Sequence, residues 1–187
     1  MEKKDKKLLN RVTILALGAY FILAIFLPDD ILSRFSILRS ISETMSSLIP
    51  SIENLTRQSR FPEVMQFVFS IVWITIPIWI LIFSRVAIIT SEIVRKNKKL
   101  FTVFFMLIFP ILLIGFYYVV GDSGIGTHDG NSSTDRIERA MITSRFYLGI
   151  WSGILALGFS IMTIMFIQWI KTIPSAYFKK HQHGGAL

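Results

Sequence analysis

Three stretches of the chain carry residue types that could do chemistry. Gly121-Asp122-Ser123-Gly124 spells the local string around the nucleophile of trypsin-like serine enzymes. Such a serine attacks only when a histidine takes its proton and a buried carboxylate orients that histidine. Here the nearest histidine, His128, shares the same glycine-rich loop. Asp122, His128 and Asp129 are metal-ligating types, but their spacing matches no standard calcium loop. His181-x-His183 offers two imidazoles without the further ligands that a zinc site needs. Asn131-Ser132-Ser133 has the form of a glycosylation acceptor. With no cysteine in 187 residues, thiolate catalysis, thiolate metal sites and disulfides are excluded. The expectation is a protein that is not an enzyme, with no catalytic residue, no metal and no cofactor.

The elements available to position those groups explain this expectation. Hydrophobic residues make up 52% of the chain and charged residues only 17%, against about 25% in an ordinary soluble domain. Mean hydropathy is +0.58. Uncharged runs cover residues 12–27, 64–84, 100–120 and 146–170. A bilayer core of about 30 Å needs about 20 apolar helical residues. The first run reaches that length if the helix begins near Leu8 and Arg11 snorkels to the interface. The pattern predicts an all-α polytopic membrane protein: one domain over 1–187, with spans at about 8–27, 64–84, 100–120 and 146–170. The first run ends in Leu27-Pro28-Asp29-Asp30 without a small-x-small cleavage signal, so it reads as a retained helix.

The basic residues give an orientation. Thirteen of the twenty, including all ten lysines, lie in the N-terminal tail, the 85–99 loop and the C-terminal tail. Nine of the twelve acids lie in the segments 28–63 and 121–145. The positive-inside rule then places both termini and the 85–99 loop in the cytoplasm. The net charge of +8 is thus largely a topology signal, and no nucleic-acid partner is expected.

The outer segment 28–63 has helical periodicity in Ile31, Phe35, Leu38, Ile41, Met45, Leu48, Ile52 and Leu55. It predicts a helix over 31–48, started by an Asp29 or Asp30 cap, a break at Pro50, and a short helix leading into span two. Its apolar stripe has two readings: an interfacial helix on the outer leaflet, or a docking face for a partner helix. Residues 121–134 read as a mobile turn. Asp135-Arg136-Ile137-Glu138 has capping-box spacing and predicts the start of helix four.

Inside the predicted spans no Asp, Glu, Lys, Arg or His lies far from an end, which disfavours transport and proton relay. Gln66, Ser70, Thr75, Ser160, Thr163 and Gln168 are among the few side chains there that offer polar atoms. Trp73, Trp79, Trp151 and Trp169, with Tyr117, Tyr118 and Tyr147, mostly lie toward span ends and read as an aromatic belt. Span four carries Gly149-x-x-x-Gly153 beside Ser152-x-x-x-Ala156-x-x-x-Ser160, spacing that lets another helix approach closely. That helix is either a neighbour in the bundle or a foreign one. Pro77 and Pro110 should kink spans two and three.

Leu48-Ile49-Pro50-Ser51-Ile52, Pro62-x-Val64-Met65, Pro77, Pro110 and the tail Pro174-Ser175-Ala176-Tyr177-Phe178-Lys179-Lys180 form a series along the chain. On these residues the chain resembles the immunity proteins that protect bacteria against pore-forming colicins of the A, B and N type. The resemblance implies a four-span protein of the bacterial inner membrane that meets the toxin's membrane-embedded helices before the pore opens. Under it, Gly149, Ser152, Gly153, Ala156 and Ser160, with Pro50, Pro77 and Pro110, are the expected partner-contacting set, and membrane lipid the surroundings. The gap from Pro50 to Pro62 is longer than in that family. The second outer loop is richer in glycine, and a Thr-Thr-Ala-Gly stretch after span three is missing. The toxin's identity therefore does not carry over. A rival reading is a small integral subunit of a conjugative, type IV secretion or other envelope complex.

Overall fold

The computed structural model describes residues 3–84, 96–114 and 133–182. Every described element is helical. Helix α1 is Lys3–Phe26, α2 Ile31–Arg34, α3 Ser36–Leu48, α4 Pro50–Gln58 and α5 Pro62–Ser84. The stretch predicted as span three comprises α6 (Lys98–Val103), a π-helical turn Phe104–Ile108 and α7 (Phe109–Ile114). Helix α8 is Ser133–Thr143 and α9 Arg145–Gln182. Residues 115–120 of span three and the 121–132 loop lie outside the described residues. With that loop go the Gly-Asp-Ser-Gly string, His128 and Asp129.

Two helices are long and apolar enough to cross a membrane, Pro62–Ser84 and Arg145–Lys171. A third apolar helix, Asn10–Phe26, is shorter. These three form the centre. α1 runs antiparallel to α9, because Gly149 meets Phe21 and Ala24 while Gly153 meets Leu17 and Tyr20. Val72 of α5 shares an apolar cluster with Tyr20 and Ala156, and Phe83 shares another with Ala16 and Ile164. α5 therefore runs parallel to α9.

The largest apolar cluster does not lie at mid-helix. It joins Ala24, Val64, Val68 and Leu148 at one end of the three helices to Ile52 and Leu55 of α4 and to Met141 and Ile142 of α8. The outer segment thus packs as a cap on the bundle. The cap is built differently from the predicted 31–48 helix. The chain leaves helical geometry at Phe35, with φ −122° and ψ 100°, and splits that stretch into α2 and α3. The predicted break at Pro50 is present, and Pro50 opens α4, where its missing N–H costs nothing.

The α2 cap is also a correction. Asp30 occupies the N-cap position but makes no cap bond. Its carboxylate takes the Arg34 guanidinium at 2.7 Å, and that bond holds Asp30 below the usual carboxylate range. The free N–H groups of Leu32 and Ser33 donate instead to Glu63, at 2.7 and 2.9 Å, from the first turn of α5. The stretch from Asp135 is likewise not the start of the long fourth helix. α8 ends at Thr143, Ser144 is non-helical, and α9 begins at Arg145.

Pro77 sits inside α5, and Pro110 directly follows the π turn. Pro110 has no N–H for the Met106 carbonyl, and its ring crowds that carbonyl. The widened turn, in which Phe109 N–H donates to the Phe104 carbonyl, accommodates both problems.

Candidate functional site

Two helices approach closely at the small-residue strip of α9. A Cβ added at Gly149 would lie 2.8 Å from the Phe21 Cα and 3.1 Å from the Ala24 Cβ. One added at Gly153 would lie 2.8 Å from Leu17 Cδ2. Glycine is needed at 149 because the backbone of α1 occupies the space a side chain would take. Ser152, Ala156 and Ser160 are fully buried. Ser160 donates its hydroxyl to the Ala156 carbonyl at 2.6 Å, with the Ile76 carbonyl of α5 also near, at 3.3 Å. The strip is the inner seam of the bundle, filled by α1 and α5. Of the two helices the spacing could admit, the one seated on the strip here is a neighbour in the bundle. Pro77 and Pro110 are exposed on the outside of their helices, and Pro50 is half-buried in the cap.

A chain of hydrogen bonds crosses the seam at mid-helix. Trp79 Nε1–H donates to the Tyr20 hydroxyl at 3.0 Å. Tyr20 bonds Thr75 Oγ1, and the Thr75 hydroxyl proton goes to the Ile71 carbonyl at 2.7 Å. Tyr20 is therefore the donor to Thr75, and each of the two hydroxyls gives one proton and takes one, so neither needs water as a partner. Two of the tryptophans read as an aromatic belt have partners inside the protein. Trp79 sits in this chain, and Trp169 is buried and donates to Thr102 Oγ1 at 3.0 Å.

Arg145 ties the end of α1 to the start of α9. Its Nη1 donates to the Leu27 carbonyl at 2.5 Å and to the Ile25 carbonyl at 3.2 Å, and its Nη2 pairs with Asp29. These carbonyls lie where a helix runs out of its own donors, and a cation there also suits the helix dipole. The guanidinium carbon stands 5.8 Å from the Phe61 ring centroid. Arg60 N–H completes the link across the cap by donating to the Ile142 carbonyl at 3.0 Å.

Among the described residues, two of the exposed apolar faces bear on what the chain could meet. The outward face of α1 carries Ile14, Leu15, Ile22 and Phe26, all exposed, with Gly18 open to empty space. Span three is the other. It meets α9 through Phe105 and Phe109, which pack with Phe166 and Trp169 at centroid separations from 5.3 to 5.8 Å. Beyond that cluster Met106, Leu107, Ile111 and Ile114 are exposed. The sequence reading missed Tyr20, Glu63 and Arg145 as organising residues. A lone tyrosine among apolar residues and an arginine at the mouth of a span are the signals that could have marked two of them. Among the described residues no cluster of histidines and acids could hold a metal. No family model, curated protein or solved structure matches the chain.

Proposed function

We propose that the chain is a four-span protein of the bacterial inner membrane, with both termini cytoplasmic, that recognises the membrane-embedded helices of a pore-forming bacteriocin and blocks channel opening. The observation that carries this reading is the nature of the interior. Among the described residues the buried polar side chains of the bundle and cap are serines, with no buried Asp, Glu, Lys, Arg or His. Such an interior supports packing and offers nothing to an ion, a proton or a substrate. The useful surfaces are then the outward apolar faces. With the glycine strip occupied, the recognition face moves to the outside of α1 and to span three. In lipid, affinity comes from packing and hydrogen bonds, and discrimination between related toxins from differences in packing.

The test is expression in a strain sensitive to pore-forming colicins, followed by challenge with a panel of them. Survival against one member and death with the others is the expected result. Death with every member, at normal membrane levels of the protein, overturns the reading. Alkaline phosphatase fusions should be active at residues 45 and 128 and inactive at 97 and 185.

The one-sided attachment of span three favours a second reading, a small subunit of a larger envelope complex. There the exposed side of span three would meet helices of other subunits. Neighbouring transfer genes and co-purification with an envelope machine would support this reading, and an adjacent, oppositely oriented toxin gene would count against it.

A further inference from the structure

We infer that α3 lies flat in the outer-leaflet interface, with Ile37, Ile41 and Leu48 seated among acyl chains. The inference rests on the membrane reading above. It starts from how α3 divides its circumference. At 100° per residue, Leu38, Ser42, Met45 and Ser46 share one sector, which faces the protein. Ser42 is fully buried, and Leu38 and Met45 pack on the largest core cluster. Ser36, Arg39, Ser40, Glu43 and Ser47 share a second sector, which is exposed and polar. Between these two lies a third sector of Ile37, Ile41 and Leu48. All are large and apolar, yet 73%, 40% and 58% exposed.

A helix in water needs only two faces. Three, in the order protein, apolar and polar, fit a helix with a neighbour at its side, lipid beneath and water above. The depth agrees. Gln66 in the second turn of α5 donates to Ser46 at 3.0 Å, and Glu63 in its first turn holds the start of α2. α3 therefore lies beside the first turns of an apolar helix, where that helix would enter the bilayer. Phe26, Phe146 and Tyr147, at the same end of the three central helices, are exposed as well. α4 makes the contrast clear: its Ile52 and Leu55 are buried in the cap and leave no such surplus. The polar sector carries one arginine and one glutamate, so the seat is an apolar one and does not depend on lipid charge.

The absence of cysteine allows single-cysteine labelling of the full chain. An environment-sensitive dye is placed in turn at Ile37→Cys, Ile41→Cys, Ser40→Cys and Glu43→Cys. Ile161→Cys on the exposed side of α9 serves as the membrane reference. The protein is reconstituted in vesicles of phosphatidylethanolamine and phosphatidylglycerol and quenched by spin-labelled lipid or by aqueous iodide. Positions 37 and 41 should be quenched several-fold more by lipid than by iodide, and 40 and 43 the reverse. Iodide quenching at 37 and 41 equal to that at 40 overturns the inference, as does shielding from both quenchers, which would mean a protein partner. Failure of lipid quenching at 161 would overturn the membrane reading itself. Lipid quenching at 161 with none at 37 and 41 sinks only the placement of α3.

Discussion

The seam between α1 and α9 and the joint between span three and α9 use opposite solutions to the same problem. At the seam, Gly149 lets the backbone of α1 come so close that a single added carbon would meet it, and Gly153 leaves room for the Leu17 side chain. At the joint, Phe105 is wedged among Phe104, Phe109, Phe166 and Trp169, and the helices are held by rings. Small residues hold two helices together over several turns, because every turn contributes close atomic contacts. A ring cluster holds them at one place and leaves the rest of the helix free. Away from the rings span three exposes Leu107, Ile111 and Ile114. Among the described residues the bundle thus has a close-packed part, capped at one end, and a part held to α9 mainly by one ring cluster.

The comparison can be broken most severely at the joint. Replacing a buried ring by a methyl group costs about 3–5 kcal/mol in well-packed cores. Phe105→Ala should release span three while the seam stays closed. Spin labels on Leu107 and Ile161 should then give a broadened distance distribution, and labels on Ile22 and Ile154 an unchanged one. Broadening of both would mean that the two regions are not independent.

The seam is tested by size. Gly149→Leu should destabilise the protein by at least the roughly 1–3 kcal/mol typical of overpacking, and its membrane abundance should fall. The effect at Gly153 should be milder, since the first atom met there is the end of the Leu17 side chain, which can turn aside. Gly158→Leu should leave abundance unchanged, because nothing lies within 4 Å of the added carbon. Equal losses at 149 and 158 would mean that close approach of α1 does not set the tolerance of α9 to added bulk.

Arg145→Ala removes the charged donor from the carbonyls of Ile25 and Leu27 and from Asp29, a loss of about 1.5–3 kcal/mol by the usual worth of hydrogen bonds to charged groups. Arg145→Lys should restore only part of it, since a single ammonium cannot reproduce the planar fork. Denaturant titration of the purified protein gives both values. Full recovery with lysine would reduce the contact to simple charge pairing.

The smallest effect is expected at the mid-helix chain. Tyr20→Phe should cost about 0.6–1.7 kcal/mol, the usual range for interhelical hydrogen bonds in membranes. Trp79→Phe in the same background should add little, because the indole N–H already lacks its acceptor. Fully additive losses in this double-mutant cycle would show that the two bonds do not act together.

Much of the architecture was legible in the residues. Long uncharged runs dictate helices, since a backbone among apolar side chains must satisfy its own hydrogen bonds, and the all-helical chain with Pro62–Ser84 and Arg145–Lys171 follows that rule. The break at Pro50 was equally readable, because proline acts locally whatever surrounds it. Small residues at 149, 153 and 156 announced a close helix. Which helix came close, α1 of the same chain, was decided by the tertiary packing, because the spacing that admits one helix admits any other. The same holds for Glu63 capping a helix 30 residues earlier and for Arg145 closing the end of α1. A carboxylate or guanidinium carries no mark in the sequence of which distant backbone groups will lack a partner. That is settled only when the helix ends are brought together, and the desolvated donors and acceptors there take the nearest charged group.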